Sequence, residues 1–508
     1  MNINSKESFD RALDKLSPRR REVLTLFLQS HTDKEIADSL YISESTLRKH
    51  MQTICTHFLG EKDLEADRRS RRGDLITLFA RYKRELLGEE TPVVPPEIPR
   101  SNSENYQDWG KSPDVSIFYG REEELKTLKQ WVVEDGCRVL ALRGMRGIGK
   151  TTLATKLALE IEGKFEYVIY RSLENASPLN KILDDLLEFF SSQSLEQFPD
   201  NDAKISELLN CLKNFRCLLV LDHWDSLLRA GDFAGQYREE YSDYAQLLQR
   251  IAKEPHQSCL LLTSSEKPQE IAFLAGDTLF VREYSVEGLG NAAREILQGK
   301  GLSGENEWGR LIYLYQGHPF ALNSVASTIQ ELFEGDVAEF VQLTWMKFDT
   351  RDLSDLIEVQ FQRLSPLEKD IMYWLAIAQE AVSFKELRSL LSNSESKLLD
   401  ALTSLKGRSL MESKKGGYGL QPLVIKYVTR QIIEQVCQEI AEFNTKQQFN
   451  LLRTHALNRD ILSRVKKEFS GSDLVQSCEA ILPNLAGRSP SEVGYARDNL
   501  EKLANLEQ

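Results

Sequence analysis

Residues 137–156 read CRVLALRGMRGIGKTTLATK. Arg138–Leu142 is a short apolar run of strand type, and the segment after Gly149 has the spacing of an amphipathic helix. Between them Gly144-Met145-Arg146-Gly147-Ile148-Gly149-Lys150-Thr151 fits the pattern G-x-x-x-x-G-K-[ST] in its required strand-to-helix context. Glycines let the backbone curl until successive N–H groups point inward at phosphate oxygens. The following helix, on which Thr152 sits, adds its positive N-terminal end. Lys150 supplies a point charge to the terminal phosphates and Thr151 a hydroxyl for Mg2+. A glycine-rich turn with a chance lysine would lack the flanking strand and helix.

A phosphate loop of this kind needs an acidic partner on a neighbouring strand. Residues 217–225, CLLVLDHWD, supply it: four apolar residues lead into Asp222, a carboxylate placed to hold Mg2+ through water. Lys150, Asp222 and His223 are the candidate catalytic residues. Where many hydrolytic proteins of this type carry a second acid to activate water, this chain has His223, with Asp225 two residues on. His223 reads as a plain loop residue or as a base, and slow hydrolysis is expected. Further strand-like runs are Tyr167–Leu173, Cys259–Ser264 and Thr278–Val281. Short buried-type strands separated by helical patterns predict a parallel α/β sheet.

The chain has 508 residues, enough for roughly three or four domains. Six regions are expected. Residues 1–88 read as short helices and 89–114 as a Pro/Ser/Asn-rich linker, followed by the phosphate-loop domain over 115–290. A helical segment occupies 291–350, a helix-rich segment with a Gly416-Gly417 hairpin turn occupies 351–436, and a helical tail runs over 437–508. Net charge is −13, yet residues 1–88 hold 17 Lys/Arg against 14 Asp/Glu. That mildly basic head on an acidic body permits nucleic-acid contact at the N-terminus only. No apolar run is long enough to span a bilayer, and the first residues lack the apolar core of a signal peptide. Seven scattered cysteines without a CxxC pair suit a reduced, cytoplasmic protein with no zinc site.

With these residues in view, the region from about 110 to 436 resembles the NB-ARC/STAND class of signal-transduction ATPases. FYGREEEL, with Phe118, Tyr119, Gly120 and Arg121, resembles the class's entry motif, which flanks adenine. LLLTSSEKP, with Ser264, resembles its sensor strand, whose polar end approaches the γ-phosphate. GHPFAL resembles its GxP motif, in which Pro319 would pack on adenine. Leu420-Gln421-Pro422 stands where the class has Met-His-Asp, so Gln421 would reach a phosphate of ADP. Ser265 replaces the usual sensor arginine and cannot make a charged, bidentate phosphate contact. The resemblance implies a five-stranded parallel sheet, a helical bundle and a winged helix, with ATP or ADP and Mg2+ as cofactors. It also implies a lid released on exchange of ADP for ATP, and nucleotide-dependent homo-oligomers. The class often ends in a propeller or helical-repeat sensor. For this chain the expected alternatives are a separate sensor protein, residues 440–508 in that role, or a shortened form.

Residues 16–58, LSPRRREVLTLFLQSHTDKEIADSLYISESTLRKHMQTICTHF, hold a short amphipathic helix at Lys34–Leu40, a turn at Tyr41-Ile42 and a second helix from Ser43 or Glu44 to Phe58. The pattern resembles a LuxR-type helix-turn-helix, which implies that Ser45, Thr46, Arg48 and Lys49 face DNA. Arg68, Arg69, Arg71 and Arg72 could add phosphate contacts. The same bundle could instead dock a protein partner. QDWGKSPD (107–114) and GQYREEYSDY (235–244) are too aromatic for plain loops and are expected to pack on the phosphate-loop domain.

Overall fold

The computed structural model describes residues 9, 13, 15–28, 33–59, 75, 79, 106–190, 198–275, 280–344, 351–391, 393–446, 448–469 and 472–505. They fall into two units, residues 1–102 and 103–508.

In the first unit, helices Pro18–Leu28, Asp33–Ser39 and Glu44–Leu59 enclose an apolar core. Val23, Leu24, Ile36, Leu47, Met51, Ile54 and Phe58 are all buried in it. Leu47, Met51, Ile54 and Phe58 recur at helical spacing, so one face of the last helix is apolar and the other polar. Ile42 joins that core at its edge. Tyr41 adopts the left-handed conformation at φ 50 and turns the chain between the second and third helices. Ser43 caps the third, accepting from Thr46 N at 3.2 Å. The segment 68–72 lies outside the described residues.

The second unit is built on a six-stranded parallel sheet, against an expected five. Its strands are β1 (Tyr106–Asp108), β2 (Val139–Arg143), β3 (Tyr167–Ser172), β4 (Cys217–Asp222), β5 (Cys259–Ser264) and β6 (Val281–Ser285), in spatial order β1-β3-β4-β5-β2-β6. The additional strand comes from the stretch expected to be linker. Tyr106 stacks on Tyr167 across the β1–β3 pair at 5.1 Å, and Asp108 pairs with Arg171 at 2.7 Å. Trp109 packs against the main core, so the aromatic character of 107–114 has a packing role. In the second aromatic stretch, Tyr244 is fully buried and donates to Ser177 O at 2.7 Å.

The last strand runs over Val281–Ser285 rather than Thr278–Val281; Thr278 itself lies outside the described residues. Its charges hid it from a reading based on apolar runs. Arg282 pairs with Asp135 at 2.8 Å, and Glu283 pairs with Arg143 and Lys267, so this edge strand carries ions satisfied by neighbours. Buried runs such as VLALR and CLLVLD fill the central strands, as sheets covered on both faces require.

Helices Glu305–Leu314, Pro319–Leu332 and Val337–Thr344 follow the sheet. Then come Arg351–Gln362, Pro366–Ala378, Phe384–Leu390 and Glu395–Gly407, and the hairpin β7 (Met411–Lys414) and β8 (Gly417–Leu420). Gly416 turns that hairpin at φ +104, a conformation that other residues rarely adopt. The long Pro422–Lys446 helix follows, and the helices after it share the same core. His455 packs on Trp374 at 4.9 Å. Asn499, fully buried, donates to Leu452 O at 2.9 Å and His455 O at 2.8 Å. Among the described residues no helix is long and apolar enough to cross a membrane.

Candidate functional site

Parallel sheets place ligand sites beyond the carboxyl ends of their strands. Here β2 delivers the 144–151 loop, β4 delivers Asp222 and β5 delivers Ser264 to that edge. Gly147 and Gly149 hold φ +77 and +97, the curl that turns successive amides inward. Lys150 opens the Lys150–Ile161 helix, and its buried ammonium donates to Gly144 O at 3.1 Å and Met145 O at 3.0 Å. Burial lowers its pKa to about 8 against the pull of Asp225 and Asp222.

Thr151 Oγ1 donates to Asp222 Oδ1 at 2.9 Å. Tyr170 OH donates to Asp222 Oδ2 at 2.7 Å, and the Thr263 hydroxyl also donates to this carboxylate. Burial pushes the Asp222 pKa up, but the contacts from His223, Thr263 and Tyr170 outweigh it and leave the group below its ordinary value. An ionised carboxylate beside a threonine hydroxyl at a helix N-terminus is a donor set suited to Mg2+ and phosphate. His223 Nδ1 lies 2.9 Å from Asp222 Oδ2, and this contact raises the imidazole's pKa. Asp225 accepts from Ser265 N at 3.0 Å and Ser265 Oγ at 2.8 Å, so its carboxylate is held by the sensor turn. Ser264 Oγ donates to Glu266 O at 2.5 Å within that turn.

The entry motif is fastened to the loop. Arg121 is buried and donates through Nη2 to Ile148 O at 2.9 Å and Glu287 O at 2.8 Å, with Glu124 at 3.2 Å. It thus ties the phosphate loop to the chain after β6. Gly120 at φ +60 packs so closely that a Cβ would lie 2.6 Å from Ala292, and Tyr119 crosses over Gly299. The Phe118 ring lies 5.7 Å from Lys156 Nζ. Pro319 begins its helix, and His318 caps that helix by accepting from Ala321 N through Nδ1 at 3.3 Å.

His318, unremarked beside Pro319 in the sequence, reaches the phosphate loop: its Nε2 lies 3.0 Å from Arg146 O. Because Nδ1 accepts, Nε2 carries the proton and donates. Burial lowers its pKa to about 4, so it is neutral near pH 7. The Arg351–Gln362 helix also covers the loop. Gln360 Oε1 accepts from Arg146 N at 3.2 Å, and Leu356 Cδ1 lies 2.7 Å from where a Gly147 Cβ would be. Gln421 lines a cavity of about 530 Å3 together with Met145, Ile148, His318 and Ser413.

A second set of contacts joins the 351–436 segment to the turn after β5. Glu266, buried after β5, receives Arg363 and Arg408, the latter at 2.6 Å. Arg408 also pairs with Glu368 at 3.2 Å and donates to Asp232 O at 2.6 Å. Arg363 Nη2 donates to Asp225 O at 3.2 Å and Leu228 O at 3.1 Å. Burial raises the Glu266 pKa against the two arginines. Sequence reading assigned no role to Glu266, Gln360, Arg363, Glu368 or Arg408. Only Ser365-x-x-Glu368 carried a legible signal, as a capping box.

In the first unit Ser45, Thr46, Arg48 and Lys49 are all exposed on the third helix, opposite buried Leu47.

Comparison with known proteins agrees with this geometry. Residues 121–230 match the NB-ARC domain family, and residues 6–57 match sigma-70, region 4, a helix-turn-helix module. An uncharacterized WD repeat-containing protein of Nostoc sp. is 40% identical over 470 residues, 80% of this chain and 37% of the relative. The disease resistance protein RPS5 of Arabidopsis thaliana is 30% identical over 132 residues, 25% of this chain and 15% of the relative. A solved STAND protein with a tetratricopeptide repeat sensor, from Pyrococcus horikoshii, aligns at 16% identity with a TM-score of 0.33. That alignment covers 74% of this chain and 52% of the other. The chain carries an NB-ARC domain over residues 121–230 and a helix-turn-helix module near its N-terminus. It spans well under two thirds of the length of the curated relatives it matches.

Proposed function

We propose that this chain is a switch set by ADP or ATP with Mg2+, and that its output is DNA binding through the helix-turn-helix. The observation that carries the switch reading is the Gln360–Arg146 hydrogen bond: the 351–436 segment, which would be the lid, occupies an amide of the phosphate loop. Lid docking and phosphate binding then draw on the same backbone, so occupancy of one alters the other. Lys150, Thr151 and the loop amides would hold the phosphates, and Asp222 with Thr151 the Mg2+. Bound Mg2+ would neutralise phosphate charge. Phe118, Tyr119, Gly120, Arg121 and Pro319 would form the wall around adenine. Arg121 is already committed to backbone carbonyls, which suits a positioning role. Ser264 stands at the sensor end and Gln421 in the cavity beside the loop.

Turnover would be slow. Asp225 is engaged by Ser265, and His223 has its pKa raised by Asp222, which favours the protonated form over a free base. The expected rate is well below the roughly 1–100 per second of kinases. Nucleotide exchange would release the lid and permit homo-oligomers.

For the output, Ser45, Thr46, Arg48 and Lys49 would read DNA from the exposed face of the third helix. The test is fluorescence anisotropy of the full chain on random-sequence duplex at low salt, with ADP and with a non-hydrolysable ATP analogue. Binding that weakens in Arg48→Ala/Lys49→Ala, with a flatter salt slope, supports the reading. No binding at tens of micromolar protein in either state overturns it. A docking platform for a protein partner is the rival, favoured by Tyr41, 96% exposed at the turn.

A further inference from the structure

Leu356, Gln360 and Arg363 follow one another at i, i+4 and i+7 and so share one face of the Arg351–Gln362 helix and its end. That face meets three separate parts of the site. Leu356 lies against Gly147, and Gln360 accepts from Arg146 N. Arg363 is held by Glu266 after β5 and by Asp225 O and Leu228 O after β4. Its carbonyl in turn accepts from Gly231 N at 2.8 Å. The helix is thereby anchored at its end by charge, while Gln360 makes a neutral bond in the middle of the face.

The two glycines of the loop stand in different surroundings. A Cβ at Gly149, at the helix N-terminus, would meet nothing within 4 Å. A Cβ at Gly147 would meet Leu356 at 2.7 Å, and His318 and Phe320 at 3.0 Å. Space is therefore open where the helix amides and Lys150 receive the first anionic groups, and closed where the loop runs back toward Arg146. A diphosphate seated at the helix N-terminus leaves Gln360 undisturbed. A third phosphate running back along the loop would meet the amide that Gln360 holds.

We propose that Gln360, anchored by Arg363, determines whether this chain accepts a nucleoside triphosphate or a diphosphate, by competing with the third phosphate for the Arg146 amide. This rests on the reading of the 144–151 loop as the nucleotide site. It gives the chain a substitute for the sensor arginine that Ser265 cannot provide: discrimination comes from the lid side. The exchange is a neutral acceptor for an anionic one, and hydrogen bonds to charged groups are the stronger kind. Glu266 also keeps Oε2 without a hydrogen-bond partner among the described residues, so the anchor holds one imperfectly satisfied buried charge.

The test is equilibrium binding of ADP and of a non-hydrolysable ATP analogue, with Mg2+, to the full chain and to Gln360→Ala and Gln360→Glu. Alanine frees the amide and should shift the analogue-to-ADP affinity ratio toward the triphosphate, on the order of fivefold for one neutral hydrogen bond. Glutamate keeps an acceptor but adds a negative charge, and should shift the ratio the other way by at least as much. Because each ratio compares two ligands on one protein, loss of stability in a variant does not imitate the result. Ratios unchanged from the parent in both variants overturn this inference alone. A parent that binds neither nucleotide overturns the switch reading and this inference together.

Discussion

The segments 291–350 and 351–436 together meet the phosphate-loop domain at two places built from opposite materials. At the mouth of the loop the contacts are neutral: Gln360 to Arg146 N, His318 to Arg146 O, and Leu356 against Gly147. At the sensor end they are ionic and buried: Glu266 and Glu368 share Arg408, and Arg363 closes on Glu266. A neutral hydrogen bond contributes little net free energy, so an anion can replace it. A buried charge that loses its partner is strongly destabilising. The same interface can thus respond to a ligand at one end and resist opening at the other. Ser265, which holds Asp225, and Thr263, which holds Asp222, connect the two through the carboxyl edge of the sheet.

The largest effect should come from breaking the ionic end. Arg408→Ala leaves Glu266 and Glu368 buried without their shared guanidinium and should cost roughly 3–5 kcal/mol. Thermal or urea denaturation of the full chain measures it; a midpoint equal to the parent's would mean the charges are solvated. Beside the neutral end, Lys150→Ala removes the cation expected to meet the phosphates, and a charged hydrogen bond is worth about 1.5–3 kcal/mol. Calorimetric titration with ADP should show affinity weaker by roughly ten- to a hundredfold, and undiminished affinity would move the phosphate site elsewhere.

Acidity offers a gentler probe of the same end. Phosphate binding requires the ammonium form of Lys150, whose pKa without ligand is about 8. Affinity for ADP should therefore hold below that value and fall as pH rises through it, while Lys150→Ala should show no such fall. His318 behaves differently. Its folded pKa of about 4 lies below the ordinary 6.5, so the unfolded chain takes up the proton first. Its contribution to stability is full above pH 6.5 and is lost as pH falls from there to about 4. A His318→Phe variant that kept the parent's acid profile would show that the cap and the Arg146 contact do not matter.

The smallest effect belongs to Gln421, half-buried at the rim of the cavity. Gln421→Ala should speed ADP release about fivefold, one hydrogen bond's worth, by stopped flow. An unchanged release rate would mean that its amide does not touch the nucleotide.

Much of this molecule was legible before any coordinates. G-x-x-x-x-G-K-T between an apolar strand and a helix, CLLVLD as a buried strand, and the helix, turn and helix over Lys34–Phe58 are local patterns whose physics is complete within a few residues. The parallel sheet and the helix-turn-helix followed from them. The strand at Tyr106–Asp108 was not legible, because three residues in a polar stretch become a strand only when β3 offers its edge. The β6 bounds were missed because Arg282 and Glu283 are tolerated in a strand only through partners far away in the chain. The lid contacts belong to the same kind. Glu266 and Arg363 are 97 residues apart, and Arg146 and Gln360 are 214 apart. Each is an ordinary polar residue in its own neighbourhood. The sequence determined that a phosphate-binding loop exists; only tertiary packing decided which side chains stand guard over it, because burial and a distant partner turn a surface charge into a constraint.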